Sequence, residues 1–224
     1  METIVISIGG SVLLSSEANH SFFTNLVDLL TKLSKRYKLY VVVGGGKTAR
    51  EYISIGRSLQ LTEESLDTIG IAITRVNASL LSSLIKDANT DIPTTTDEAK
   101  EIDASIVIMG GTTPGHSTDM VGAELAKKVH AHRFVIATNV NGVYNKDPNK
   151  FADAVHLPEI SIDELLDTYG TTWTAAGSNV VIDGPALQIM KQTKIPTAVV
   201  NGKRLDQLER AITGQSFEGT EITI

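Results

Sequence analysis

The sequence predicts a three-layer α/β/α sandwich around a mainly parallel, mixed sheet. Two patterns carry that prediction. Short apolar runs recur and stop at glycines, as at residues 4–8, 40–43 and 106–109. Between them, apolar residues fall three or four positions apart, the spacing of a helix with one buried face. A short run that is apolar on successive residues fits a strand covered on both sides, as parallel strands are. Alternation of such strands with helices makes a layered α/β fold.

Residues 4–8 open the chain as a strand ending at Gly9-Gly10-Ser11. Phe22, Leu26, Leu29, Leu30 and Leu33 then share one helical face. The strand at 40–43 ends at Gly44-Gly45-Gly46-Lys47, and Leu66, Ile69, Ile73 and Val76 give a second helical stripe. The strand at 106–109 runs into Gly110-Gly111-Thr112, followed by the stripe Val121, Leu125, Val129. Here Thr118 is the expected helix cap, with Asp119 in the first turn. Residues 134–137 read as a strand leading to a turn-rich segment through Tyr144. Ser161 to Glu164 has capping-box spacing, and Pro185 opens a helix from its first turn. Residues 197–200 form a strand, and Leu205, Leu208 and Ile212 a last helix ended by Gly214. No linker or low-complexity stretch interrupts residues 1–224, so they are expected to form one domain around one sheet.

Composition narrows the function. With no cysteine among 224 residues, thiolate nucleophiles, disulfide scaffolds and cysteine metal sites are excluded. A formal net charge of −6 argues against a general nucleic-acid or membrane-surface binder. No apolar run approaches the roughly 20 residues that span a bilayer, and the N-terminus lacks the layout of a signal peptide. A cytoplasmic location is expected.

Glycine at strand exits is the main chemical signal. In open α/β sheets ligands bind beyond the carboxyl ends of strands. Glycine lets backbone approach them, and helix N-termini favour anions. One such turn is ordinary; three point to anion binding. Gly44 to Thr48 ends in Gly-Lys-Thr, but a P-loop needs a glycine where Val41 stands, so its spacing fails. The segment from Gly110 to Asp119 adds four hydroxyls and His116, suited either to capping and turns or to holding an anionic, sugar-bearing substrate.

Taken in order, these motifs resemble those of the amino-acid-kinase superfamily, and most closely its archaeal-type uridylate (UMP) kinases. The matching segments are Ile6-Ser7-Ile8-Gly9-Gly10-Ser11, then Val43-Gly44-Gly45-Gly46-Lys47 with Ala49-Arg50. Asp67-Thr68-Ile69-Gly70-Ile71 and Thr74-Arg75-Val76-Asn77-Ala78 follow. Gly110 through Asp119, which contains Pro114-Gly115-His116-Ser117-Thr118-Asp119, is the most discriminating. Thr138-Asn139-Val140-Asn141-Gly142-Val143-Tyr144 and Asp147-Pro148 complete the set.

The resemblance implies an eight-stranded type of sandwich and ATP- and Mg²⁺-dependent conversion of UMP to UDP in pyrimidine biosynthesis. It implies an acceptor side mainly in the N-terminal half and an ATP side mainly in the C-terminal half. ATP would meet Gly9, Gly10, Gly46, Arg50, Thr138, Asn139, Tyr144 and Asp147. UMP would meet Gly45, Asp67, Thr112, Thr113, Pro114, Gly115, His116, Ser117 and Thr118. Asp119 and Lys47 are the expected catalytic pair; metal ligands are unassigned. The family typically forms hexamers built from dimers. Many superfamily members carry lysine where Ser7 stands, so the phosphoryl clamp is sought among Lys47, Arg50 and Lys146. Asn141, where relatives often have Asp, receives no catalytic role. Isopentenyl phosphate, carbamate or an acyl-amino-acid carboxylate remain alternative acceptors, and a nucleotide-binding protein without turnover remains an alternative class.

Overall fold

The computed structural model describes residues 1–14, 20–171 and 182–224. Its chain order is β1 (Glu2–Ile8), α1 (Gly10–Leu13), α2 (His20–Ser34), β2 (Tyr37–Val43), α3 (Gly46–Ser58), α4 (Glu63–Ser83) and α5 (Thr96–Glu101). There follow β3 (Ile106–Met109), α6 (Thr118–Lys128), β4 (Arg133–Thr138), β5 (Val143–Tyr144), β6 (His156–Leu157) and β7 (Glu159–Ser161). The chain closes with α7 (Ile162–Tyr169), α8 (Gly184–Thr193), β8 (Thr197–Asn201), α9 (Leu205–Ile212) and β9 (Gly219–Thr223).

Seven strands form the main sheet, in the order β3-β2-β1-β4-β8-β9-β7. The first five are mutually parallel, β9 runs antiparallel to β8, and β7 runs parallel to β9. The sheet is therefore mixed, as predicted, but has seven strands among the described residues. The remaining short pair, β5 and β6, forms a separate antiparallel ribbon. Thr220 ties this ribbon to the sheet: its Oγ1 accepts from the Val143 amide at 2.8 Å and donates to the Leu157 carbonyl at 2.6 Å.

Alternate residues of each central strand enter opposite apolar layers, because successive side chains leave a strand on opposite faces. Ile4, Ile6 and Ile8 pack with α1, α2, α4 and α9; Val5 packs with α5, α6, α7 and α8. The apolar runs read from sequence are thus strands buried on both faces. Edge strand β3 is closed off by Asn89, which accepts from the Ile108 amide and donates to the Ile108 carbonyl, in place of a further strand.

The helices at 20–34, 118–128 and 205–212 bury most of the predicted apolar positions, with Phe22, Leu205 and Val129 (the last at the C-cap of α6) half-buried against the same layers. The capping box at Ser161 and Glu164 is formed in full. Helix α4 differs. Its buried face is Leu66, Thr74, Asn77, Ala78 and Leu81, while Val76 is 64% exposed. Thr74 and Asn77 face inward because loop backbone is what they meet, while Ala78 and Leu81 of the same helix enter the apolar layer. At α6 the cap is Ser117, whose Oγ accepts from the Met120 amide at 3.0 Å; Thr118, expected as the cap, is the first helical residue.

Candidate active site

A cleft of about 270 Å³ opens at the carboxyl ends of β1, β2 and β4. Parallel register delivers the loops there together: Ile8 stands opposite both Val43 and Ala137. The Gly9 amide donates to the Ala137 carbonyl and the Gly44 amide to the Ile8 carbonyl, each at 2.9 Å. Gly10 lies directly on the next loop. A Cβ added to it would run into the Gly46 amide nitrogen and the Gly44 carbonyl oxygen. Gly46 adopts φ +66°, a left-handed backbone that disfavours a side chain. The two glycine loops therefore form one continuous backbone floor.

Helix α4 holds the loop that follows β3. Thr74 Oγ1 accepts from the Gly111 amide at 2.7 Å, and Asp67 Oδ2 accepts from the Gly115 amide at 2.6 Å. Asp67, Gly111, His116, Ser117, Thr118 and Asp119 all line the cleft, as do Gly9, Gly10, Gly45, Gly46 and Arg50. Thr138 and Asn139, at the end of β4, close its other side. Thr112, Thr113, Pro114 and Gly115 do not line it; they belong to the outer part of the loop, where Thr113 Oγ1 meets His116 Nδ1 at 3.3 Å.

Three expected positions lie elsewhere. Lys47 is 79% exposed on the outside of α3 and pairs with Glu51 at 3.5 Å. Arg50, one turn further along α3, lines the cleft, whereas the Lys47 side chain leaves for solvent and Glu51. Tyr144 packs edge-on against His156, ring centres 5.2 Å apart, on the β5–β6 ribbon. Asp147 organises its own turn by accepting from the Asn149 amide at 2.9 Å, which holds its carboxyl below the usual range. Neither Tyr144 nor Asp147 lines the cleft. Of the clamp candidates, Lys146 pairs with Asp153 at 2.6 Å and covers the Phe151 ring. That leaves Arg50 as the clamp candidate on the wall.

Two carboxylates meet inside. Ser7 Oγ donates to Asp119 Oδ1 at 2.7 Å. Burial raises the Asp119 carboxyl to about 7; the Ser7 hydrogen bond opposes that rise and the Asp183 charge adds to it. Asp183, which sequence reasoning did not single out, caps α8 by accepting from the Ala186 amide at 2.9 Å and also accepts from Ser117 Oγ. Its sequence signal is an Asp two residues before the first-turn Pro185, and that signal indicates only a cap. The serine at position 7 takes up the space next to Asp119 with a hydroxyl that neutralises nothing. The cleft can hold two anionic groups on backbone N–H donors and one guanidinium, with a carboxyl that titrates near neutrality between them.

Among the described residues no three His, Cys, Asp or Glu side chains gather as a metal cage.

Comparison with known proteins agrees with this geometry. Residues 2–201 match the model of the amino acid kinase family. The chain is 41% identical over 222 residues to a uridylate kinase of Methanobrevibacter smithii, covering 98% of each. It is 42% identical to a uridylate kinase of Methanothermobacter thermautotrophicus, covering 95% of this chain and 96% of that one. The crystal structure of uridylate kinase from Archaeoglobus fulgidus superposes with a TM-score of 0.86 at 40% identity, covering 100% of both chains.

Proposed function

The chain belongs to the amino acid kinase family, and from that premise we propose that it transfers the γ-phosphoryl group of ATP to UMP, giving UDP and ADP. The observation that carries this reading is the fused backbone floor of Gly9–Gly10 and Gly44–Gly46. It offers two adjoining anion cradles at neighbouring parallel strands. Near-full-length identity to proteins named uridylate kinase supports UMP as the acceptor.

The chemistry suits the residues. The acceptor is a phosphate with a second pKa of about 6, hence largely a dianion at neutral pH, and it needs no general base. Catalysis is then positioning and stabilisation of charge. Gly9, Gly10, Gly46 and Arg50 hold ATP phosphates, with Thr138 and Asn139 beside its nucleoside. Gly45, Asp67 and the 111–118 loop hold UMP. When bound, Mg²⁺ supplies positive charge to the phosphate oxygens. Asp119 stands between the two sides; ionised it accepts from Ser7, and protonated it donates towards phosphate. The division of acceptor and donor sides between the two halves of the chain follows the same assignment. We place the enzyme in the cytoplasm, in pyrimidine nucleotide synthesis.

We also propose that it works as a homo-oligomer. Val76 and Leu80 on α4 with Leu84 just past its end, and Tyr52 and Ile55 on α3 with Leu59 just past its end, are exposed, and these helices pack side by side. Large apolar side chains left exposed on two adjoining helices suit a contact with another protein copy.

A coupled assay of ADP formation tests the activity, using UMP, CMP, dUMP, AMP, GMP and isopentenyl phosphate with and without Mg²⁺. UMP-dependent, Mg²⁺-dependent ADP release is expected. Equal or faster turnover of another acceptor would replace UMP in this reading, and UMP binding without turnover would make the protein a binder.

A further inference from the structure

Asn77 and Arg75 of α4 reach loop backbone from behind the cleft. Asn77 is buried, and its Nδ2 donates to the Gly44 carbonyl at 2.8 Å and the Gly45 carbonyl at 3.4 Å. A trans peptide carries its C=O and N–H in opposite directions, and the chain has no cis peptide among the described residues. Holding those two carbonyls towards Asn77 therefore turns the Gly45 and Gly46 amides the other way. Both glycines line the cleft.

Arg75 repeats the arrangement on the loop after β3. Its Nε donates to the Gly111 carbonyl and its Nη2 to the Thr112 carbonyl, each at 3.1 Å, and Nη2 also reaches the Thr94 carbonyl at 3.4 Å. The same planar geometry turns the Thr112 and Thr113 amides away from the guanidinium. Arg75 does not itself line the cleft, so its donors are spent on carbonyls rather than offered to a ligand. None of the four amides so turned has a hydrogen-bond partner among the described residues. The Gly111 amide, by contrast, is taken by Thr74.

We propose that Asn77 and Arg75 are positioning residues for phosphoryl transfer: Asn77 aims the Gly45–Gly46 amides of the cleft as donors for nucleotide oxygens, and Arg75 anchors the loop at Gly111 and Thr112 so that residues 116–118 are held at the cleft wall. The proposal rests on the kinase reading above. Residues two apart on a helix face different directions, so one rigid element reaches two loops. The separation of the two loops is then fixed by α4 and not by the loops themselves.

Three variants test this: Asn77→Asp, isosteric but without the amide donors, Arg75→Met, and Arg75→Lys. Against a wild type that turns over UMP, Asn77→Asp should lower kcat about 100-fold, the scale of losing aimed donors to developing charge. Arg75→Met should raise KM for UMP about 10-fold and leave KM for ATP within about twofold, and Arg75→Lys should recover part of that loss. Backbone ¹⁵N spectra give an independent readout. Inorganic phosphate and UMP should each shift the Gly45 and Gly46 amides in the wild type, and UMP should also shift those of residues 116–118. Asn77→Asp should lose the shifts of the glycine pair and Arg75→Met those of residues 116–118. Unchanged shifts and constants overturn the proposal, as does a loss that follows the melting temperature and moves both KM values alike. If Asn77→Asp fails to fold, the two Arg75 variants decide the outcome by the same criteria. A wild type without UMP-dependent turnover overturns the kinase reading instead, and the phosphate-induced shifts then decide the positioning role alone.

Discussion

Asp119 combines a functional position with a cost in stability. Its carboxyl titrates near 7 in the folded protein, against an ordinary value of 3.8, because it is buried beside Asp183. The raised value favours the protonated form on folding, so this group lowers stability as pH rises from about 3.8 to about 7 and its effect levels off above that. Asp119→Asn removes the buried charge and keeps an acceptor for Ser7. Its melting temperature should exceed that of the wild type at pH 8, with the difference shrinking towards pH 4, as thermal melts across that range would show. The same variant should lose about 100-fold or more in kcat while UMP affinity changes little, read by steady-state kinetics and titration calorimetry. Asp119 was legible in the sequence because it follows a glycine-rich strand exit. Its neighbours were not. Asp183 joins the cleft through Ser117, 66 positions away, and no local spacing encodes that. Lys47 drew attention through a Gly-Lys-Thr string, but helix geometry sends its ammonium outward to Glu51.

Elements separate those that shape the cleft from those that only support the fold. Gly10→Ala forces a methyl group into the Gly44 carbonyl and the Gly46 amide, so α1 and the start of α3 must part. Both KM values should rise and kcat fall by about 100-fold or more, because small displacements of positioned groups have effects of that size. Ser161→Ala is the contrast. It removes the capping box of α7, a loss of about 1 kcal/mol, and should lower the melting temperature by about 2–4 °C. Activity should be unchanged, since α7 contributes nothing to the cleft wall. Strand exits and caps were readable because each is signalled within a few residues. The face of α4 was not. Its apolar stripe at Ile69, Ile73 and Val76 suggested a buried side, yet the helix turns Thr74 and Asn77 to the glycine loops. Backbone as a packing partner leaves no hydrophobic signature in the sequence.

For the molecule as a whole, the outward stripe on α4 predicts assembly. Light scattering of the purified protein should give a multiple of 24.0 kDa, and Val76→Glu with Leu80→Glu should shift it towards the single-chain mass. A wild type already at single-chain mass would remove the oligomer from the proposal. The layered α/β architecture was legible from alternating strands and helices, because burial on both faces writes itself into continuous apolar runs. Strand β9 was not read from the sequence, and its reversal has no local signal, since a short strand reads alike in either direction. That reversal bears on how the protein is made. Strand β9 lies between β8 and β7, and Thr220 within it anchors the β5–β6 ribbon. On the ribosome, β7 must wait for its neighbour until residues 219–223 have been synthesised. Five of the seven strands can pair before that moment, but one end of the sheet stays open. A nascent chain stalled short of residue 219 would leave the β8 edge uncovered, which makes this the interval of synthesis most exposed to misassembly and to chaperone capture.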